Sequence, residues 1–171
     1  MKAQAITVPA PGPNSTAAKR QARLKQALKN TKAGKGRVVD VTALDHMKQI
    51  NLHAAGIDLG ASENFACVPA TAVAPGDSSV RAYGVFTEEM DALVEWLRGC
   101  QVTTVAIEAT GVYWMVLYDK LEAAGMEVVL VEPGSVKAVD GRKSDVLDCQ
   151  WLQKLHTYGL VSRSFRPDSC V

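Results

Sequence analysis

Near Thr87 the apolar residues of this chain change their period, and the change fixes the kind of sheet the chain can build. Ahead of it, short apolar runs bounded by turn-forming residues read as strands. These are Leu52–Leu59 (LHAAGIDL), Glu63–Thr71 (ENFACVPAT) and Val80–Phe86 (VRAYGVF), with Pro75-Gly76-Asp77 turning the chain between the last two. Three such strands in succession predict an antiparallel meander. Beyond Thr87 the period is 3.6. Thr87 is expected to cap a helix that has Glu88 and Glu89 in its first turn, Leu93, Trp96 and Leu97 on its apolar stripe and Gly99 at its end. A strand over Thr103–Ala109 (TTVAIEA), a helix from about Val112 to Ala124 and a strand over Met126–Pro133 (MEVVLVEP) follow. Ser144 caps a last helix from Asp145 to about Tyr158, with Val146, Leu147, Trp151, Leu152 and Leu155 turned inward. Strand–helix–strand steps make parallel pairs with right-handed crossovers. The expected fold class is therefore α/β: a three-strand antiparallel meander plus parallel strands, flanked by helices.

Charge divides the chain into two parts. Met1–Arg37 carries nine Lys or Arg and no Asp or Glu, a charge of +9; with nineteen bases and eighteen acids in all 171 residues, 38–171 is left at −8. We read 1–37 as a basic, disordered arm and 38–171 as one domain. Within the arm Ser15 caps a helix from about Thr16 to Asn30, whose Leu24 and Leu28 make too thin a stripe to dock firmly. Such arms contact nucleic acid or remain solvated tails, and the sequence leaves both open. The 47% hydrophobic content suits a packed core, and no apolar run reaches the roughly 18 residues of a membrane helix. With no secretion signal and no C-x-x-C pair among Cys67, Cys100, Cys149 and Cys170, a cytoplasmic protein with reduced thiols is expected.

Carboxylates stand at telling places. Asp58 ends the first apolar strand and Glu108 the fourth, while Asp145 and Asp148, three apart, share one side of the last helix's first turn. If the two strands are neighbours, four carboxylates meet at their carboxyl ends, where open α/β sheets place ligands. Hard oxygen donors in that number suit Mg²⁺ or Mn²⁺, and a pair of such ions serves phosphodiester chemistry. Each residue also has an ordinary reading, an Asp after a strand as a turn former and Asp145 as a partner of the helix dipole.

The segments GIDLGAS (Gly56–Ser62), AIEATGVYW (Ala106–Trp114) and VEPGSVKAVDGRKSDVLDCQWL (Val131–Leu152) resemble the N-terminal domain of the DEDD transposases, insertion-sequence family one hundred and ten. The resemblance spans about Asn51 to Pro167. It rests most on Glu-Ala-Thr-Gly-x-Tyr and Gly-Arg-Lys-Ser-Asp-x-x-Asp, in that order. It implies a RuvC-like, ribonuclease-H-like fold, DNA and guide RNA as partners, and a catalytic, metal-holding set of Asp58, Glu108, Asp145 and Asp148. It also implies nucleic-acid contacts by Arg142, Lys143 and, more weakly, Lys137, whose alternative role is to offset the acidic set. Tyr113 then stacks on a base or packs under the sheet, and Trp114 packs. Members of the family continue into a second domain with a catalytic serine that finds no counterpart before Val171, so a truncated transposase, self-associating or joined to a full-length one, is expected. His46, His53 and His156 lack ligand spacing and read as ordinary surface or core residues.

Two further readings stand beside this one. GIDLGAS also resembles the phosphate-contacting turn of the actin and sugar-kinase superfamily, but the second Asp-Gly-Thr-like loop of that fold is missing. The other is a non-catalytic fragment that binds RNA or full-length transposase and regulates it.

Overall fold

The computed structural model describes residues 16–33, 44, 46–108, 114–132 and 145–164. Strands β1 (Ala54–Leu59), β2 (Glu63–Cys67) and β3 (Val80–Gly84) are followed by helix α2 (Thr87–Gly99), strand β4 (Thr104–Glu108), helix α3 (Trp114–Ala123), strand β5 (Glu127–Val131) and helix α4 (Asp145–Thr157); α1 (Thr16–Ala33) precedes them all. The sheet order is β3-β2-β1-β4-β5. Pairing is antiparallel from β3 through β2 to β1 and parallel from β1 through β4 to β5. This is the mixed sheet expected of a ribonuclease-H-like α/β fold.

Alternation along the strands sorts side chains to two faces. Ala55, Ile57, Val105, Ile107, Val128 and Leu130 face the layer of α2 and α3, where Leu93, Leu97, Leu117 and Leu121 are wholly buried with them. Gly56, Ala106 and Val129 face the other way, beneath α4, whose Leu152 packs on Ala106 and Val129. An acidic residue that follows an inward isoleucine therefore belongs to the α4 face.

Local chemistry sets three boundaries differently from the sequence reading. Strand β2 stops at Cys67 because Pro69 has no N–H to give to a ladder, and a 3-10 turn takes over at Ala70–Ala72. Thr87 is the first residue of α2 rather than its cap: Phe86 holds the cap position without a side-chain bond, and the Glu89 carboxylate accepts the Gly84 N–H at 2.6 Å instead. Strand β3 accordingly ends at Gly84.

A further difference from expectation is α1, which docks. Leu24 is buried among Cys67, Val80, Ala82, Val146 and Cys149. Arg20, also buried, pairs through Nε with Glu63 at 3.0 Å and through its terminal nitrogen with Glu89. Gln21 Nε2 donates to the Ala82 carbonyl at 2.8 Å. One leucine is a thin stripe, but the arginine adds an aliphatic stem and two ionic partners to it. Leu28, the arm before Thr16 and residues 34–43 lie outside what is described. Among the described residues no helix is long and apolar enough to cross a membrane.

Candidate functional site

Strands β1 and β4 lie side by side with Ile57 opposite Ile107. One step further along each, Asp58 is the last residue but one of β1 and Glu108 the last of β4, on neighbouring parallel strands about 4.8 Å apart in the pairing direction. Since both isoleucines face α2 and α3, both carboxylates turn to the α4 face, each half-buried. On its other side Asp58 stands opposite Phe65 of β2.

Helix α4 lies on β1 at the closest approach two backbones allow, and Gly56 makes that possible. A Cβ at position 56 would stand 2.3 Å from the Gln153 nitrogen and 2.7 Å from the Cys149 carbonyl. Gln153 Nε2 also donates to the Ala54 carbonyl at 3.3 Å. Gln153 thus sits over the start of β1 and Cys149 over its middle, so the helix runs antiparallel to the strand. Its first turn, with Asp145 and Asp148, comes to the end where Asp58 and Glu108 stand.

The Cys149 thiol senses this convergence. Burial pushes its pKa well above the ordinary thiol value, and the negative fields of Cys67, Asp58 and Asp148 push it further. Asp148 is half-buried, whereas the Asp145 side chain lies outside the described residues, as do Tyr113, Lys137, Arg142 and Lys143. Among the described residues, no three His, Cys, Asp or Glu side chains are drawn close enough to hold a metal ion between them.

Residues 55–171 match the family of DEDD transposases of the IS110 type, described as Transposase. This chain belongs to that transposase family. Among solved structures it is similar to RuvC of Thermus thermophilus, with 16% identity and a TM-score of 0.43 over 65% of this chain and 99% of that one. It is likewise similar to T. thermophilus RuvC in complex with a Holliday junction substrate, with 17% identity and a TM-score of 0.41 over 65% of this chain and 98% of that one. No curated protein matches.

Two residues that position the elements around the candidate site were not singled out by sequence reasoning. Gly56 carries a recognisable signal, a glycine inside an otherwise apolar strand, which marks a close backbone approach. Arg20 carries none, because Glu63 and Glu89 are 43 and 69 residues away. The histidines behave as ordinary residues: His46 and His53 are exposed and His156 is buried.

Proposed function

We propose that this chain is the carboxylate-bearing part of a DNA recombinase, in which Asp58, Glu108, Asp145 and Asp148 hold Mg²⁺ or Mn²⁺ against a phosphodiester of DNA. The observation that carries the reading is that Asp58 and Glu108 stand at the carboxyl ends of adjacent parallel strands, on the one face that also receives the first turn of α4. Four hard oxygen donors fit a small divalent cation, which prefers carboxylates and water to nitrogen or sulfur. When bound, such ions polarise the phosphate and stabilise the leaving oxygen.

The protein's own part is to fix the donors and exclude alternatives. The parallel pairing of β1 and β4 sets the Asp58–Glu108 spacing. The contact of Gly56 with α4 sets the height of Asp148, and buried Cys149 closes the floor with a neutral thiol that adds no fifth charge. Arg142, Lys143 and Lys137 bind phosphates beside the acids, and Tyr113 stacks on a base. A guide RNA is the second nucleic acid in this reading, and the supporting fact is membership of the family.

Calorimetry tests the reading. Asp58→Asn and Glu108→Gln each remove one hard donor and one negative charge. Each is expected to weaken Mg²⁺ binding by at least tenfold while the unfolding midpoint holds or rises, because a repulsive charge has gone. Mg²⁺ affinity unchanged in both variants would refute it.

A further inference from the structure

Helix α1 lies outside the residues that match the transposase family, yet it is fastened to the domain beside the carboxylates. It carries six bases, Lys19, Arg20, Arg23, Lys25, Lys29 and Lys32, and no acid. Arg20 is the exception among those described, turned inward to Glu63 and Glu89; Lys19, Arg23 and Lys25 are exposed. Among the described residues none of these three has an acidic partner.

The anchors also fix how the helix is rotated. Arg20 and Leu24, four apart, point down to the sheet. At about 100° per residue, Gln21 and Lys25 lie on one flank and Lys19 and Arg23 on the other. Gln21 bonds the Ala82 carbonyl on β3, the edge strand, so its flank is the outer one. The Lys19–Arg23 flank consequently turns inward across the sheet, toward α4 and β1. Along the strands the placement is equally defined. Arg20 meets Glu63, the first residue of β2, and a Cβ on Gly84, the last of β3, would come within 3.1 Å of the guanidinium. Strand β2 runs antiparallel to β1, so its first residue lies at the end of the sheet where β1 finishes in Asp58 and Leu59. Leu24 packs with Cys149, the thiol that senses Asp58 and Asp148.

We propose that α1 is a duplex-DNA-binding element whose Lys19–Arg23 flank lays two cations along the path by which a phosphate backbone reaches the carboxylate end of the sheet. A helix held by buried anchors presents cations about 6 Å apart on one line, which suits the regular phosphates of a stiff duplex better than a flexible single strand. The inward Arg20 is the positioning residue. It contributes no contact with DNA and sets which flank does. The proposal rests on the recombinase reading for its substrate, and it assigns that substrate a route.

Anisotropy titrations of the full chain with a 25-base-pair duplex across a salt series, in chelator so that no metal contributes, separate the possibilities. Lys19→Gln and Arg23→Gln are each expected to make the slope of log affinity against log salt shallower by about 0.9, the value for one lost phosphate contact on B-DNA. Lys25→Gln on the outer flank is expected to leave it nearly unchanged. Arg20→Met should erase the difference between flanks, because the released helix rotates freely. Equal losses for Lys19, Arg23 and Lys25 in the otherwise native chain would mean a passive tail and overturn the proposal. A loss confined to single-stranded RNA of the same length would overturn it in favour of RNA. The titrations run in chelator and the metal reading is tested by Mg²⁺ calorimetry, so failure of the metal reading and failure of this one are read separately.

Discussion

His156 is a buried imidazole whose Nε2 shares a 2.8 Å hydrogen bond with Thr104 Oγ1, and among the described residues its Nδ1 has no partner. Burial lowers its pKa from 6.5 to about 4. The unfolded chain takes up a proton below pH 6.5 that the folded chain refuses until about pH 4, so stability present above 6.5 is lost as the pH falls toward 4. The loss is on the order of 3 kcal/mol. Urea unfolding at pH 7 and pH 4.5 should show the native chain losing more stability than His156→Gln; equal losses would locate the acid sensitivity elsewhere. Gly56 makes an even stricter demand. Gly56→Ala pushes a methyl into the α4 backbone, and a destabilisation of about 1–3 kcal/mol is expected, with Mg²⁺ binding weakened because Asp148 is displaced. Unchanged stability and affinity would show that α4 can lift without consequence.

At the scale of elements, α1 is a cover as well as a carrier of charge. Beneath it Cys67 is buried, its thiol pushed up to about 12, and Cys149 is wholly enclosed. Leu24→Ala removes the side chain that seals both. Mass-spectrometric mapping after a thiol reagent should find Cys67 and Cys149 unmodified in the native chain and labelled at least several-fold faster in the variant, since only an exposed thiolate reacts. Equal labelling would mean that the cover opens as a whole without Leu24. The docking itself was hard to see in the sequence. Local periodicity shows only Leu24 and Leu28, whereas the anchor is a cation whose partners, Glu63 and Glu89, belong to other elements. The strands are different. LHAAGIDL and TTVAIEA declare themselves by apolar runs with an acid as the last residue but one, and their ends fall within a residue or two of the observed β1 and β4. Thr87 shows the limit of cap rules: a threonine ahead of two glutamates reads as a cap, but the Glu89 carboxylate was committed to Gly84.

For the whole molecule, topology does the gathering. The order β3-β2-β1-β4-β5 makes β1 and β4 neighbours although 44 residues separate the end of one from the start of the other. Period and turn residues predict a meander and two crossovers; they do not say which strand accepts β4. The neighbouring of the first and fourth strands was a condition of the sequence reading, and the observed register of Ile57 with Ile107 meets it. The electrostatics are arranged on the same face: acids at the ends of β1 and β4 and the start of α4, bases on the flank of α1 next to them. The claim at the centre of this account is that those acids share one divalent cation site. Crystals of the chain grown with Mn²⁺, measured for its anomalous scattering, test it directly. The account predicts an anomalous peak within about 2.0–2.6 Å of carboxylate oxygens from Asp58 and Glu108 and from the first turn of α4. Ordered carboxylates at saturating Mn²⁺ with no peak among them, or a peak bound by other residues, would contradict it.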